Sequence, residues 1–244
     1  MVVRTEKIST GSYDLNKWLY GGYETDVVTM IAGPAASGKT NFCILVACSQ
    51  AKKGNKVIFV DTEGGFSVER VRQMVPDNYE EVLKNILLLS PSSFEEEQES
   101  FSQLMKKINK EDIGVIIVDG MATLYRLELG EAVRSGNESK IREINGKLAQ
   151  QMKMLSEIAR KQHIPVIITN QVYTGFLSEE ELKQGVKKET NLVGGDLMKY
   201  WCKCIIELKL EGRRKAVLLK HRNMPQKEIN FEIDNSGIFK KGWI

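Results

Sequence analysis

At 244 residues, with 42% hydrophobic and 27% charged positions, the chain has the composition of an ordinary globular protein and can bury one substantial α/β core. That excludes a disordered chain, and a net charge of +3 excludes a polycation. No apolar run approaches the ~18 residues needed to span a bilayer. The charge is unevenly placed: residues 199–244 carry 11 Lys/Arg against 5 Asp/Glu, which suits either a phosphate-bearing partner or a solvated basic surface. Residues 1–7 turn charged before any apolar run develops, so no secretory signal is expected. Cys43, Cys48, Cys202 and Cys204 follow no disulfide framework, which points to a reducing, cytoplasmic location.

Short β-branched runs alternate with helical stretches along most of the chain. Residues 27–32, 57–60, 86–89, 115–118 and 166–169 read as buried parallel strands. Residues 39–53, 68–74, 94–109 and 138–162 read as helices. This order predicts a three-layer α/β domain over residues 1–244, with helices on both faces of a mostly parallel sheet. After Gly194-Gly195, residues 202–210, 215–221 and 228–233 alternate between turn signals and predict antiparallel strands that extend the sheet. Cys202 and Cys204, two apart in the first of these, are expected on one face as buried structural thiols. Residues 127–137 and 172–192 are loop-like and long enough to be functional.

Gly33-Pro34-Ala35-Ala36-Ser37-Gly38-Lys39-Thr40 matches the P-loop pattern in full, between the first strand and the first long helix. Backbone N–H groups of such a loop cradle phosphate oxygens, and small residues such as Ala35 and Ala36 leave room for that approach. Lys39 places a cation near the β- and γ-phosphates of ATP, and the Thr40 hydroxyl is a ligand for Mg²⁺. The strand at 115–118 ends in Asp119, the expected second Mg²⁺ group. Glu63 follows the strand at 57–60, whose carboxyl end belongs beside the P-loop. There it is either a general base for the attacking water or an acid opening the next helix.

Together these residues carry a resemblance. The leading segment 1–22, with Ser9-Thr10-Gly11-Ser12-Tyr13-Asp14 and Gly21-Gly22, is similar to the start of RecA/RadA recombinase cores. So are Asp61-Thr62-Glu63-Gly64, Asp119-Gly120-Met121-Ala122-Thr123-Leu124-Tyr125-Arg126 and Thr169-Asn170-Gln171-Val172. The likeness runs in order along nearly the whole chain, and is closest to short archaeal paralogues that lack the N-terminal domain and its polymerisation motif. It implies a RecA-like P-loop ATPase core with Glu63 in the catalytic-glutamate place and Gln171 as the γ-phosphate sensor. Arg70 takes the place of a residue that packs on adenine. Residues 127–137 and 172–192 correspond to loops that face DNA, with Arg134, Lys187 and Lys188 as phosphate contacts. Tyr173 and Phe176 either stack bases or anchor the second loop.

Lys220-His221-Arg222 ends a C-terminal strand where RecA-like proteins place groups that act on a neighbour's ATP. Lys220 and Arg222 are accordingly candidate trans-acting cations, or a solvent-exposed strand end. The expected activity is slow, DNA-dependent ATP hydrolysis in homologous recombination and repair. The expected partners are DNA, in particular single strands, a full-length RadA-type recombinase, and a possible second copy of the chain, with no membrane. The alternative is a nucleotide-gated mediator of that recombinase with little turnover. A small-molecule kinase fits less well, because no arginine-rich lid follows the P-loop.

Overall fold

The computed structural model describes residues 6–108, 112–174 and 190–242. A ten-stranded sheet forms its middle layer. Five strands, β3 (Val28–Gly33), β4 (Lys56–Asp61), β5 (Ile86–Leu89), β6 (Ile113–Asp119) and β7 (Val166–Thr174), run parallel in the order β5-β4-β6-β7-β3. Beyond β3 lies β9 (Cys202–Glu211), also parallel to it. Then β10 (Arg213–Lys220), β11 (Lys227–Asp234) and β12 (Gly237–Lys240) follow as an antiparallel meander. A short β8 (Thr190–Leu192) pairs antiparallel with the end of β7. A separate two-stranded ribbon joins β1 (Lys7–Ile8) to β2 (Tyr23–Glu24). The expected α/β, mostly parallel architecture with antiparallel C-terminal strands is the one observed.

Strand alternation divides the core in two, because successive side chains point to opposite faces. Met30, Ile58, Ile116 and Ile168 face a layer made by α5 (Phe94–Ile108), α6 (Thr123–Arg134), α7 (Glu138–Gln162) and α8 (Gly195–Trp201). Ile31, Phe59, Ile117 and Ile167 face α1 (Tyr13–Trp18), α2 (Lys39–Ala51), α3 (Val68–Met74) and α4 (Tyr79–Lys84). The long α7 shows why the pattern folds this way. Asn137 caps its start by accepting from the Lys140 N–H at 3.0 Å. Ile144, Leu148, Met152, Leu155 and Ile158 then recur at helical spacing against the sheet. His163, in the left-handed region at φ 54°, ends it.

Three details correct the sequence reading. Residues 127–137 are not a loop: α6 runs through Arg134, and only residues 135–137 connect it to α7. Leu124, Tyr125 and Ala132 are buried at helical spacing, and no side chain caps the α6 start, so no N-cap signal announces it. Residues 175–189 of the second expected loop, with Phe176, Lys187 and Lys188, lie outside the described residues; 172–174 continue β7. Finally, Cys202 and Cys204 do not share a face. The register steps from Val28 opposite Cys202 to Thr29 opposite Cys204, so a bulge at Lys203 turns the two thiols into different cores.

One buried group stands apart. Glu97 on α5 is fully buried beside Gln151 of α7, and among the described residues neither of its oxygens has a hydrogen-bond partner of good geometry. Burial pushes its carboxyl up to about 8, against the weaker downward pull of Gln151.

Candidate nucleotide site

The P-loop is built by two conformational demands. Ala36 takes φ 60° and Gly38 φ 106°, the left-handed turns that bring β3 round into α2. Gly38 is required twice over, since a side chain there is strained by φ and its Cβ would stand 2.6 Å from Ile233 Cδ1 on β11. The C-terminal meander therefore sits directly behind the loop. Arg214 of β10 reaches the same loop and donates to the Ala36 carbonyl at 3.4 Å. Within the loop the Ser37 N–H bonds to the Pro34 carbonyl. Lys39, only 6% exposed, donates to the Gly33 and Pro34 carbonyls at 3.1 and 3.0 Å. Its burial lowers the ammonium pKa, while Glu63 and Asp119 nearby pull it back up.

Asp119, at the tip of β6, is the hub of the polar network. Its Oδ2 accepts from Thr40 Oγ1 at 2.6 Å, and its Oδ1 accepts from Thr169 Oγ1 at 2.6 Å. Thr169 Oγ1 in turn accepts from the Gly120 N–H at 2.7 Å. Burial raises the Asp119 pKa, and these two hydroxyls oppose the shift. Among the described residues no group of three or more acidic, His or Cys side chains forms a metal cage. A pair such as Thr40 and Asp119 nonetheless suits Mg²⁺, which usually takes one or two protein groups and completes its shell with phosphate and water.

Glu63 is brought to the same spot from the tip of β4. Asp61 folds the turn by accepting from the N–H groups of Glu63, Gly65 and Phe66 at 3.2, 3.1 and 2.8 Å. Thr62 Oγ1 donates to the Asp119 and Gly120 carbonyls, tying the two strand tips together. Gly120, at φ 93°, leaves room for this, since a Cβ there would lie 2.8 Å from Glu63 Cγ. Glu63 Oε1 then accepts from Thr123 Oγ1 at 2.8 Å and from Gln171 Nε2 at 3.1 Å. Lys39, Thr40, Glu63, Asp119 and Gln171 thus gather at the carboxyl ends of adjacent parallel strands, where ligands bind in open α/β sheets.

The remaining expected residues lie elsewhere. Arg70 on α3 bridges Asn41 Oδ1 at 2.7 Å, Gln73 Oε1 at 3.0 Å and the Asn235 carbonyl at 3.1 Å, beside the start of α2. Arg134 is exposed at the C-terminal end of α6, where a cation suits the helix dipole. Lys220 and Arg222 sit at the opposite end of the sheet, because β10 runs antiparallel to β9 and returns to the start of β3. Lys220 donates to the Lys199 carbonyl at 2.7 Å. Arg222 binds both Asp26 oxygens at 2.7 and 2.5 Å and Glu24 at 3.0 Å. Asp61, Thr123 and Thr169 lie inside the segments that carry the resemblance but receive no role from sequence, and nothing in residue type or spacing marks Arg214 or Ile233.

The comparisons agree with this geometry. The family model described as Rad51 matches residues 3–241. The chain is 38% identical over 226 residues to the DNA repair and recombination protein RadB of Methanococcus maripaludis, covering 92% of this chain and 96% of that protein. It is 35% identical over 238 residues to the protein of the same name from Methanobrevibacter smithii, covering 95% of each. A third, from Methanocaldococcus jannaschii, is 36% identical over 225 residues, 92% of this chain and 98% of the relative. A P-loop on β3, an acid at the tip of β6 and a glutamate locked to a glutamine between them are carried in a chain that belongs to the Rad51 family.

Proposed function

We propose that this chain is a DNA-dependent ATPase that assists homologous recombination and DNA repair, acting on single strands and beside a full-length RadA-type recombinase. The observation that carries it is the meeting of Lys39, Thr40, Asp119, Glu63 and Gln171 at the strand tips. In this reading residues 33–40 bind the triphosphate of ATP, and Lys39 balances its β- and γ-charge. Thr40 and Asp119 would hold Mg²⁺, which supplies further neutralisation of the phosphates. Glu63 orients the attacking water and accepts its proton, and Gln171 positions Glu63 through their hydrogen bond. Arg70 takes the base. DNA contacts fall to Arg134 and, outside the described residues, to Lys187 and Lys188. Lys220 and Arg222 act in trans in a homo-oligomer, which requires Arg222 to exchange Asp26 for a phosphate. Residues 1–244 act as one ATPase core. No helix among the described residues is long and apolar enough to cross a membrane.

The test is phosphate release with and without single-stranded DNA, for the wild type and Glu63→Gln. Stimulated release that Glu63→Gln abolishes supports the reading; no release above a protein-free blank overturns it. One observation favours a second reading, a nucleotide-gated mediator. Glu63 Oε1 already accepts two hydrogen bonds, which suits a site that holds nucleotide longer than it turns it over. A mediator keeps its assistance to the recombinase in Glu63→Gln, and an ATPase-driven remodeller loses it.

A further inference from the structure

The C-terminal meander does not stay closed along its length. β10 and β11 pair only from Lys215 opposite Asn230 to Leu218 opposite Lys227. Beyond that, β10 stays paired with β9 through Arg214 and Arg213, while β11 pairs with β12 from Phe231 to Asp234. The two strands therefore part, and a cleft of about 610 Å³ opens between them, within the ~300–1,000 Å³ usual for ligand sites. Arg213 and Arg214 stand on one wall, and Phe231 and Ile233 on the other. Leu210 and Phe239, 41% and 43% exposed, add apolar surface.

The main chain in the gap specifies an extended guest. In an antiparallel ladder, alternate residues turn their N–H and C=O to opposite sides. The Lys241 N–H donates to the Asn230 carbonyl at 3.0 Å, which turns Asn230, Glu232 and Asp234 toward β12 and Ile233 toward β10. Ile233 thus offers a donor and an acceptor to the cleft, and among the described residues no strand lies opposite them. Such an edge is a template for another chain at the strand spacing of about 4.8 Å. The charges then select among extended chains. Arg213 is exposed and makes no hydrogen bond or ion pair among the described residues, and Arg214 reaches only the Ala36 carbonyl. On the facing wall Glu232 is tied to Lys241, and Asp234 accepts from Ser236 and Gly237. The unanswered charge is positive and sits on the β10 wall, so an acidic segment matches it. A nucleic-acid strand brings phosphates to the same arginines but no peptide ladder for Ile233, and it meets the carboxylates of Glu232 and Asp234 in the same cleft.

We propose that this cleft docks an extended, acidic segment of a partner protein, which adds a strand between β10 and β11. Its main chain pairs with Ile233, an acidic side chain meets Arg213, and an apolar one covers Leu210 and Phe239. The inference goes beyond the ATPase reading and does not rest on it.

The probe is a fluorescein-labelled seven-residue peptide that alternates valine with glutamate, titrated against the full chain by fluorescence anisotropy. Two control peptides change one feature each. One carries lysine for glutamate, and the other carries proline for valine, which removes main-chain donors from the ladder. The valine–glutamate peptide should bind, and each control should bind at least about tenfold more weakly. Arg213→Glu, an exposed change checked by thermal melting for folding, should weaken the first peptide about tenfold and strengthen the lysine peptide. The bound peptide should also slow amide hydrogen exchange at Ile233 and leave β5, at the outer edge of the sheet, unchanged. No binding, equal binding of the three peptides, or wild-type binding in Arg213→Glu overturns the proposal. A dT oligonucleotide that displaces the peptide and is itself lost in Arg213→Glu overturns it in favour of a nucleic-acid site. Exchange at Ile233 that slows with protein concentration in the absence of peptide overturns it as well, since a second copy of the chain then fills the cleft.

Discussion

The tips of β3, β4 and β6 and the seam between α5 and α7 both bury carboxyl groups, Asp61 and Asp119 in the one and Glu97 in the other, with Glu63 exposed at the edge of the first, yet they are built on opposite terms. At the tips each carboxylate is answered: Asp119 by Thr40 and Thr169, Asp61 by three backbone N–H groups, Glu63 by Thr123 and Gln171. In the seam, among the described residues, neither oxygen of Glu97 and neither amide atom of Gln151 has a hydrogen-bond partner of good geometry. Hydrogen bonding to the charged form holds a carboxylate ready to work, whereas burial without it favours the neutral acid. The first region is organised for charge. The second tolerates a carboxyl only while it keeps its proton.

The comparison is broken most forcefully at the site. Lys39→Ala removes the one cation among the gathered side chains, and ATP turnover should fall by about 10²–10³-fold, the usual cost of deleting a preorganised charge stabiliser. Filter retention of labelled ATP should fall with it. Turnover within threefold of wild type would show that the P-loop amides alone suffice.

The seam should respond to pH with the opposite sign to a paired carboxylate. Glu97 is raised to about 8 from 4.5, so its contribution to stability is fully present below pH 4.5. That contribution is lost as pH climbs from about 4.5 to about 8, by roughly 3–5 kcal/mol in all. Glu97→Gln keeps the shape and removes the proton. Urea unfolding of this variant should lose that pH dependence and show a more stable protein than the wild type at pH 9. Parallel curves for the two proteins from pH 5 to pH 9 would show that Glu97 is not titrating in the folded state.

How much of this was legible varied with the physical signal. Ile86–Leu89, Val68–Met74 and Glu138–Gln162 were readable to the residue, because apolar period, caps and breakers agreed there. The P-loop and Asp119 were readable because their chemistry dictates residue type and spacing. Glu97 was hidden inside Glu95-Glu96-Glu97, which looks like a solvated first turn. Yet Phe94, Glu97, Phe101, Leu104 and Ile108 step by three and four, so the acid occupies a place in the apolar stripe. That spacing was the available clue. Cys202 and Cys204 were misplaced because a one-residue bulge flips a strand's faces and leaves no mark in residue type. Thr123 and Thr169 were unreadable for a different reason. A hydroxyl that serves a carboxylate from another strand is defined by tertiary contact alone.

A smaller effect is expected at the far end of the sheet. Arg222→Ala leaves Glu24, 3% exposed, with His221 at 3.7 Å and Asn223 as its remaining partners among the described residues. Stability should fall by about 1–2 kcal/mol, less than for a fully enclosed pair because the guanidinium is one-third exposed. The same variant tests the trans role. ATP turnover that rises with protein concentration in the wild type should stay flat in Arg222→Ala. An identical concentration dependence in both would confine Arg222 to holding the start of β3.

The finest test is Thr123→Val, which keeps shape and removes one of the two hydrogen bonds on Glu63 Oε1. A single neutral donor is worth about 1 kcal/mol, so strand-free turnover should change by roughly three- to tenfold. The direction separates two uses of that bond. If Thr123 aims Glu63 at the attacking water, kcat falls while the affinity for ATP stays, because only the reacting geometry is disturbed. If the bond restrains Glu63 until a strand arrives, strand-free kcat rises and the DNA stimulation ratio shrinks by the same factor. Thr123→Ser retains the hydroxyl and should restore wild-type values in either case.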